Sequence, residues 1–202
     1  MKKTIIVTPN ANIGLISHYP DTEIVALDEG IEVCKEANIR MSLAISSFET
    51  VSLDDLLSYF PKEKIMKYEH SQDEEFPLSR VCNYLFSHGV EDILVLDSFS
   101  DLLHAHELSV LLKNAKGHLS IQDSSSLVNF YGEGSHVISK LNYSAFTIIG
   151  FPYANVSMEH VSRNIKDQEL HVDKTHNITN AIFERVAVLK VNKGGVLFVL
   201  HD

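Results

Sequence analysis

Acidic and hydroxyl side chains follow directly on predicted strands, at positions where proteins of the α/β class bind their ligands. Asp28 comes directly after the apolar run that ends at residue 27, and Ser47 and Glu49 follow the run that ends at residue 45. Asp73 lies in a polar, acidic segment before a long predicted helix. Ligands of open α/β sheets bind at the carboxyl ends of the strands, and carboxylates suit Mg²⁺, which shares its oxygen ligands with phosphates. These side chains are candidates for a magnesium and phosphate site; the alternative for each one alone is a solvated loop acid or a helix cap.

Glycine and serine patterns exclude several common sites. The sequence holds neither Gly-x-x-x-x-Gly-Lys nor Gly-x-Gly-x-x-Gly, the two common nucleotide-binding fingerprints. It also lacks the Gly-x-Ser-x-Gly pattern of the α/β-hydrolase nucleophile. Gly132 and Gly134 stand between two β-rich runs and are predicted to be turn residues of a hairpin.

Histidine and cysteine spacing argues against a transition-metal site. Among the 11 histidines, His104 and His106 fall in a helical segment. Residues two apart on a helix do not face each other, so we predict surface or helix roles for both. Cys34 and Cys82, the two cysteines, are too few for a disulfide framework or a four-thiolate zinc site. Both lie on predicted amphipathic helices, which predicts buried free thiols.

Short apolar runs alternate with helical periodicity in the first half of the chain. The predicted strands of a buried sheet are Thr4–Val7, Glu23–Leu27, Met41–Ile45 and Ile93–Leu96. One helix is predicted from apolar residues that share a face between Leu78 and Phe86, and it ends at Gly89. A second helix is predicted from Asp101 to Gly117. This alternation is typical of a mostly parallel sheet covered by helices.

The pattern changes after Gly117, where short β-rich runs separated by turn residues replace the alternation. Many short strands with turn signals between them are typical of a sandwich or a barrel. The last two runs, Val186–Val191 and Val196–Leu200, flank Lys193-Gly194-Gly195 and are predicted to form a hairpin. We therefore predict an α/β domain over residues 1–117 and an all-β sandwich domain over residues 118–202.

Composition excludes several classes of protein. The chain has 202 residues, and 17 Lys and Arg against 27 Asp and Glu give a formal net charge of 17 − 27 = −10. This acidic balance argues against a general nucleic-acid binder, which uses basic surface to displace counterions. Hydrophobic residues make up 45% and charged residues 22% of the chain, which excludes disordered and fibrous classes. The first apolar run stops at Pro9, and no run reaches the length of about 18 residues that a membrane helix needs. We expect a cytoplasmic protein that binds neither nucleic acid nor membrane.

The order of these motifs along the whole chain resembles the bacterial thiamine pyrophosphokinase family. The family's Asp-Gly-Gly turn corresponds to Asp28-Glu29-Gly30, and its Gly-Asp-Phe-Asp-Ser to residues 46–50, Ser-Ser-Phe-Glu-Thr. Its Lys-Asp-x-Thr-Asp corresponds to residues 72–76, Gln-Asp-Glu-Glu-Phe. Its Gly-Gly-Arg-x-Asp-His corresponds to residues 100–105, and its Ser-Asn pair to Thr179-Asn180.

The resemblance implies an enzyme that uses Mg²⁺ to transfer the β,γ-diphosphate of ATP to the hydroxyl of thiamine, giving thiamine diphosphate and AMP. It implies that the α/β domain binds ATP, that the sandwich domain helps to bind thiamine, and that the active sites form across a homodimer. By position, Asp28, Glu49 and Asp73 correspond to metal or phosphate ligands, and Glu49 and Asp73 to catalytic groups. Thr179 and Asn180 correspond to residues near thiamine.

The chain departs from the family motifs at several charged positions. Ser46-Ser47 replaces the family Gly-Asp, so that Ser47, a candidate cofactor-binding residue, offers a hydroxyl in place of a carboxylate. Phe76 replaces an Asp, and Leu102 and His104 replace the Arg and Asp of the fourth motif, which removes a phosphate-pairing guanidinium. Loss of one charge-stabilising group commonly costs about 10²–10³ in rate. The main hypothesis is the family activity with a rearranged metal site. The alternatives are a silent homologue that binds thiamine, its diphosphate or a nucleotide as a sensor or partner, and a dimer whose apparent site binds nothing.

Overall fold

A computed structural model of the chain describes residues 3–68, 77–173 and 178–202. The chain divides into two compact units, Met1–Ser124 and Ser125–Asp202. None of the helices in the described ranges combines the length and the apolar character that a membrane crossing needs.

The first unit is built on a parallel sheet of short strands. Its strands are β1 (Thr4–Val7), β2 (Glu23–Leu27), β3 (Leu43–Ser46), β4 (Ile65–Lys67), β5 (Asp92–Leu96) and β6 (His118–Gln122). They pair in the order β6-β5-β1-β2-β3-β4, and each neighbouring pair is parallel. All four side chains of β1 are buried, as expected when both faces of a parallel sheet are covered.

Helices connect these strands, and local sequence signals set their ends. The α-helices are α1 (Gly30–Glu36), α2 (Leu53–Leu57), α3 (Pro77–Ser87) and α4 (Leu102–Asn114), and two 3₁₀ helices span Ile13–His18 and Lys62–Lys64. On α3, Leu78, Val81, Cys82 and Leu85 are buried, which confirms the predicted apolar face. On α4, the Asp101 side chain accepts a hydrogen bond from the backbone N–H of His104, which confirms the predicted N-cap.

The second unit is an all-β unit of long antiparallel strands. Its strands are β7 (Ser126–Ser139), β8 (Ala145–Glu159), β9 (Ile165–His171), β10 (Ile178–Asn180) and β11 (Val186–His201). β11 lies between β7 and β8, and the other edge of β8 carries both β10 and β9, one after the other. The α/β class of the first half and the all-β character of the second are confirmed. The two-sheet sandwich stays a prediction.

The predicted hairpin near the end of the chain is wrong. Val186–Val191 and Val196–Leu200 belong to one strand, β11, whose register against β7 shifts between Val191 and Gly195. A β-bulge absorbs extra residues within a strand and bends it, so a glycine pair here marks a bulge rather than a turn. The prediction of a hairpin turn at Gly132 and Gly134 is also wrong, because both glycines lie inside β7.

The observed division of the chain differs from the predicted boundary near residue 117. β6 pairs in parallel with β5, with Leu119 opposite Ile93, and so it belongs to the first unit. The division falls between Ser124 and Ser125. A short apolar strand has the same sequence pattern in a parallel as in an antiparallel sheet, which explains the difference.

Gly30 allows α1 to pack closely on the end of β1, and this contact is testable. A Cβ added at Gly30 would overlap the carbonyl oxygen of Val7, a backbone atom that cannot swing away. We expect Gly30→Ala to lower the free energy of unfolding by about 3 kcal/mol, measured by urea denaturation. Gly132→Ala is the control, because a Cβ there meets nothing within 4 Å. Equal losses in the two variants would contradict the close packing.

Because two thiols are buried, we predict that the protein loses stability at alkaline pH. Cys34 and Cys82 are 0% and 1% exposed, and burial raises the pKa of the Cys34 thiol from 9.0 to about 12. Because the folded-state pKa lies above the unfolded one, the contribution is present below about pH 9 and is lost as the pH rises towards 12. The free energy of unfolding is measured at pH 8 and at pH 10.5. We expect it to fall by roughly 2 kcal/mol less in Cys34→Ala than in the unmodified protein. Parallel pH profiles for the two proteins would show that Cys34 is not the group responsible.

Candidate functional site

Polar side chains occupy the carboxyl edge of the parallel sheet. Thr8 follows β1, Asp28 follows β2, Ser46 ends β3, Tyr68 follows β4 and Asp97 follows β5. Parallel strands bring their carboxyl ends to the same edge, which is where open α/β sheets bind ligands. The candidate site of the first unit therefore lies on this edge, and it consists of two hydrogen-bonded clusters.

The first cluster surrounds the carboxylate of Asp28. Its Oδ1 accepts hydrogen bonds from Ser46 Oγ at 2.9 Å and from the backbone N–H of Ser47 at 3.4 Å. Its Oδ2 accepts one from the Tyr68 hydroxyl at 2.7 Å. Three strand ends, those of β2, β3 and β4, thus converge on one carboxylate through neutral donors. The predicted residues Asp28 and Ser47 are brought together, whereas Tyr68 was not identified from the sequence.

Backbone geometry fixes the two loops that carry this cluster. Asp28 adopts a left-handed conformation with φ 51°, and Phe48 does so with φ 62°. Asp is among the residues that tolerate this region, and the N–H of Phe48 donates to Ser46 Oγ at 3.0 Å. The carbonyl of Asp28 accepts from the N–H of Ile31 at 2.9 Å, so the turn leads directly into α1.

Tyr68 is held as a protonated donor. Burial of the phenol raises its pKa well above the ordinary value, and the hydrogen bond to the Asp28 carboxylate raises it further. A hydrogen bond with the Ser47 side chain acts in the opposite direction. At neutral pH the phenol therefore keeps its proton and directs it at Asp28.

The carboxylates predicted to bind magnesium are not gathered into one cluster within the described residues. In residues 3–68, 77–173 and 178–202, no group of three or more His, Cys, Asp or Glu side chains is placed to hold a metal ion. Glu49 lies in an exposed bend, and Asp73 falls outside the described residues. Both oxygens of Asp28 already accept hydrogen bonds. The assignment of Asp28, Glu49 and Asp73 as a metal set stays a prediction.

The second cluster lies between β1 and β5, where the chain stops adding strands on one side of the sheet and starts adding them on the other. From β1 the chain proceeds to β2 on one side, and from β5 it proceeds to β6 on the other, which marks a topological switch point between β1 and β5. Across it, Thr8 Oγ1 donates to the carbonyl of Leu96 at 3.1 Å. Asp97 is 2% exposed; its Oδ1 accepts from the N–H of Ser98 at 2.7 Å and lies 3.2 Å from His104 Nε2.

His104 was predicted to be a surface or helix residue, and the structure shows it largely buried against Asp97. Its side chain is 17% exposed, and its Nδ1 lies 3.8 Å from Glu107 Oε2. Leu102, which the sequence motifs align with an arginine of the resembled family, is 88% exposed. Asp97 was not identified from the sequence, although this residue directly follows a buried strand, which is the same signal that identified Asp28.

In the second unit, Thr179 and Asn180 line an open cleft of about 570 Å³. Thr179 Oγ1 lies 3.0 Å from Thr147 Oγ1, its cross-strand neighbour. The Asn180 amide donates to the carbonyl of Arg163 at 2.6 Å and accepts from the N–H of Ala181 at 2.8 Å. Both side chains therefore shape the cleft through bonds within the protein. Their contact with thiamine stays a prediction.

Comparison with solved structures identifies close similarity in fold. Thiamin pyrophosphokinase from Geobacillus thermodenitrificans matches with a TM-score of 0.85 and 15% identity, covering 100% of this chain and 98% of that one. Thiamine pyrophosphokinase from Bacillus subtilis matches with a TM-score of 0.84 and 14% identity, covering 100% and 99%. Yeast thiamin pyrophosphokinase matches with a TM-score of 0.79 and 9% identity, covering 99% and 86%. No family model matches the sequence, and no curated protein is detectably similar to it.

The Ser46 hydroxyl joins the two loops of the Asp28 cluster, and its removal tests the cluster. Ser46 is 0% exposed, so Ser46→Ala leaves both Asp28 Oδ1 and the N–H of Phe48 short of a partner. We expect the free energy of unfolding to fall by about 1–3 kcal/mol, measured by urea denaturation. Ser87→Ala, which removes an exposed hydroxyl bonded to Tyr84, is the control with a change under about 0.5 kcal/mol. An unchanged free energy of unfolding in Ser46→Ala would mean that the cluster does not fix the loops.

Proposed function

We propose that this chain, which has the fold of the thiamin pyrophosphokinases, transfers diphosphate from ATP to thiamine. The observation that carries the proposal is the match of the whole chain to these enzymes. The resemblance seen in the sequence motifs is thus confirmed at the level of the fold. The polar edge at Asp28 and Asp97 lies where such a sheet binds ligands.

The reaction joins the hydroxyl oxygen of thiamine to the β-phosphorus of ATP, and AMP leaves with the oxygen that bridged the α- and β-phosphorus atoms. Such transfers depend on positioning and on stabilising charge more than on covalent help. Mg²⁺, when bound, supplies charge neutralisation at the phosphates. In this proposal Asp28, with Glu49 and Asp73, provides the carboxylates of the site, and Ser46 and Tyr68 hold Asp28 in place.

The binding of the two substrates is assigned to different units. We assign ATP to the carboxyl edge of the first unit and thiamine to the second unit near Thr179 and Asn180. The homodimer that the resemblance implies and the cytoplasmic location expected from the sequence belong to the same proposal. Sedimentation velocity of the purified protein tests the dimer.

Charge and motif changes favour a second candidate, a silent homologue that binds a ligand without turnover. Residues 1–124 hold 10 Lys and Arg against 20 Asp and Glu, a net charge of −10, whereas residues 125–202 hold seven of each. The unit assigned to ATP therefore carries all of the net negative charge. Where the family has an arginine, Leu102 offers no cation.

The activity is tested by incubating purified protein with ATP, thiamine and Mg²⁺ and detecting products by mass spectrometry. We expect thiamine diphosphate and AMP in equal amounts. Neither product from protein that is folded by circular dichroism would contradict the enzymatic proposal and support the silent homologue.

Replacement of Asp28 tests its role in turnover. Because it would supply charge at the phosphates, we expect Asp28→Asn to lower the rate of product formation by about 10²-fold. Glu36→Gln, which removes an acid at the end of α1, is the control with an unchanged rate. Equal rates for the two variants would remove Asp28 from the proposed machinery.

A further inference from the structure

The cleft of the second unit has a basic lining. Arg163 and Lys166 line it together with the polar side chains of Asn164, Gln168, Thr179 and Asn180. Among the described lining residues none is acidic. The volume of about 570 Å³ falls in the range of small-molecule sites.

Lys166 and Gln168 of β9 both line the cleft, as does Ile165. The register of β9 against β8 shifts here, between the pair of Val156 with Gln168 and the pair of Met158 with Ile165, and Asp167 adopts a left-handed conformation with φ 46°. Asp167 lies between Lys166 and Gln168 in sequence, and its Oδ1 bonds with Ser157 Oγ and with the Asn192 amide on the neighbouring strands. The carboxylate nearest in sequence is therefore occupied elsewhere.

Hydrogen bonds to main-chain atoms hold the segment that carries Arg163 in place. The Asn180 amide donates to the Arg163 carbonyl at 2.6 Å. The N–H of Ser162 donates to the carbonyl of Ala181 at 2.8 Å, and the N–H of Phe183 donates to the carbonyl of His160 at 3.2 Å. These bonds use no side-chain atom of Arg163, which lines the cleft.

We propose that this cleft binds the phosphate end of a diphosphate ester, and so prefers phosphorylated thiamine to thiamine itself. Thiamine carries a positive thiazolium ring, and the described lining offers it no carboxylate. A diphosphate carries negative charge that a guanidinium and an ammonium group satisfy with charge-assisted hydrogen bonds. In a unit with no net charge, two cations on one cleft also concentrate anions locally. The inference rests on the proposed function only for the identity of the organic part of the ligand.

Isothermal titration calorimetry of the full chain, without ATP or Mg²⁺, tests the preference. The ligands are thiamine diphosphate, inorganic pyrophosphate and thiamine. We expect thiamine diphosphate and pyrophosphate to bind, each at least tenfold more tightly than thiamine. Binding of thiamine as tight as that of its diphosphate, or no binding of pyrophosphate, would overturn the proposal.

Variants locate the site. We expect Arg163→Gln and Lys166→Gln each to weaken thiamine diphosphate binding roughly tenfold. Lys190→Gln removes the same charge from β11, outside the cleft lining, and is expected to bind like the unmodified protein. Equal affinities across all three variants, with folding verified by circular dichroism, would place the ligand elsewhere and overturn the proposal.

The outcome is separable from that of the proposed function, since binding is measured without turnover. Tight diphosphate binding that needs Arg163, in a protein that makes no product, supports the cleft assignment and contradicts the enzymatic proposal. Product formation with equal affinity for thiamine and its diphosphate supports the enzyme and overturns the cleft assignment.

Discussion

A single half-buried carboxylate, that of Asp28, organises the carboxyl edge of the first unit. Strands β2, β3 and β4 end within hydrogen-bond reach of it, and their donors are Ser46, Ser47 and Tyr68. A carboxylate removed from water must be satisfied by donors. Here the three donors are neutral groups, and together they fix the geometry of the cluster. The left-handed turns at Asp28 and Phe48 and the start of α1 lie beside this carboxylate.

Two polar contacts within the protein hold the carboxyl edge together. At the end of β3, the Ser46 hydroxyl and the backbone N–H of Ser47 both donate to Asp28. At the switch point, Asp97 Oδ1 and His104 Nε2 lie 3.2 Å apart. Both contacts favour a preformed edge.

The sequence predicts local elements better than long-range partners. The apolar face of α3, the N-cap of α4 and the central strands follow from spacing alone. β4 is three residues long, too short for a periodic signal, and its place beside β3 depends on tertiary contacts. Asp28 is identifiable because it directly follows a strand. Tyr68, which is 40 residues away in sequence, is not, because no local pattern links a tyrosine to a distant carboxylate. The proposed hairpin is wrong for the converse reason, since a bulge and a turn use the same residues.

The bulge of β11 has a consequence for how the second unit assembles. β11 is 16 residues long and pairs on both sides, and a slip by one residue would turn every side chain to the opposite face. Gly194, with φ 79°, sits against the carbonyl of Tyr153, where any Cβ would collide. Within β11, only Gly194 and the adjacent Gly195 lack a Cβ, so only two neighbouring alignments of β11 with β8 place a glycine at that point. The glycine pair therefore restricts the register of this long strand to two alignments, and the burial of one face selects between them.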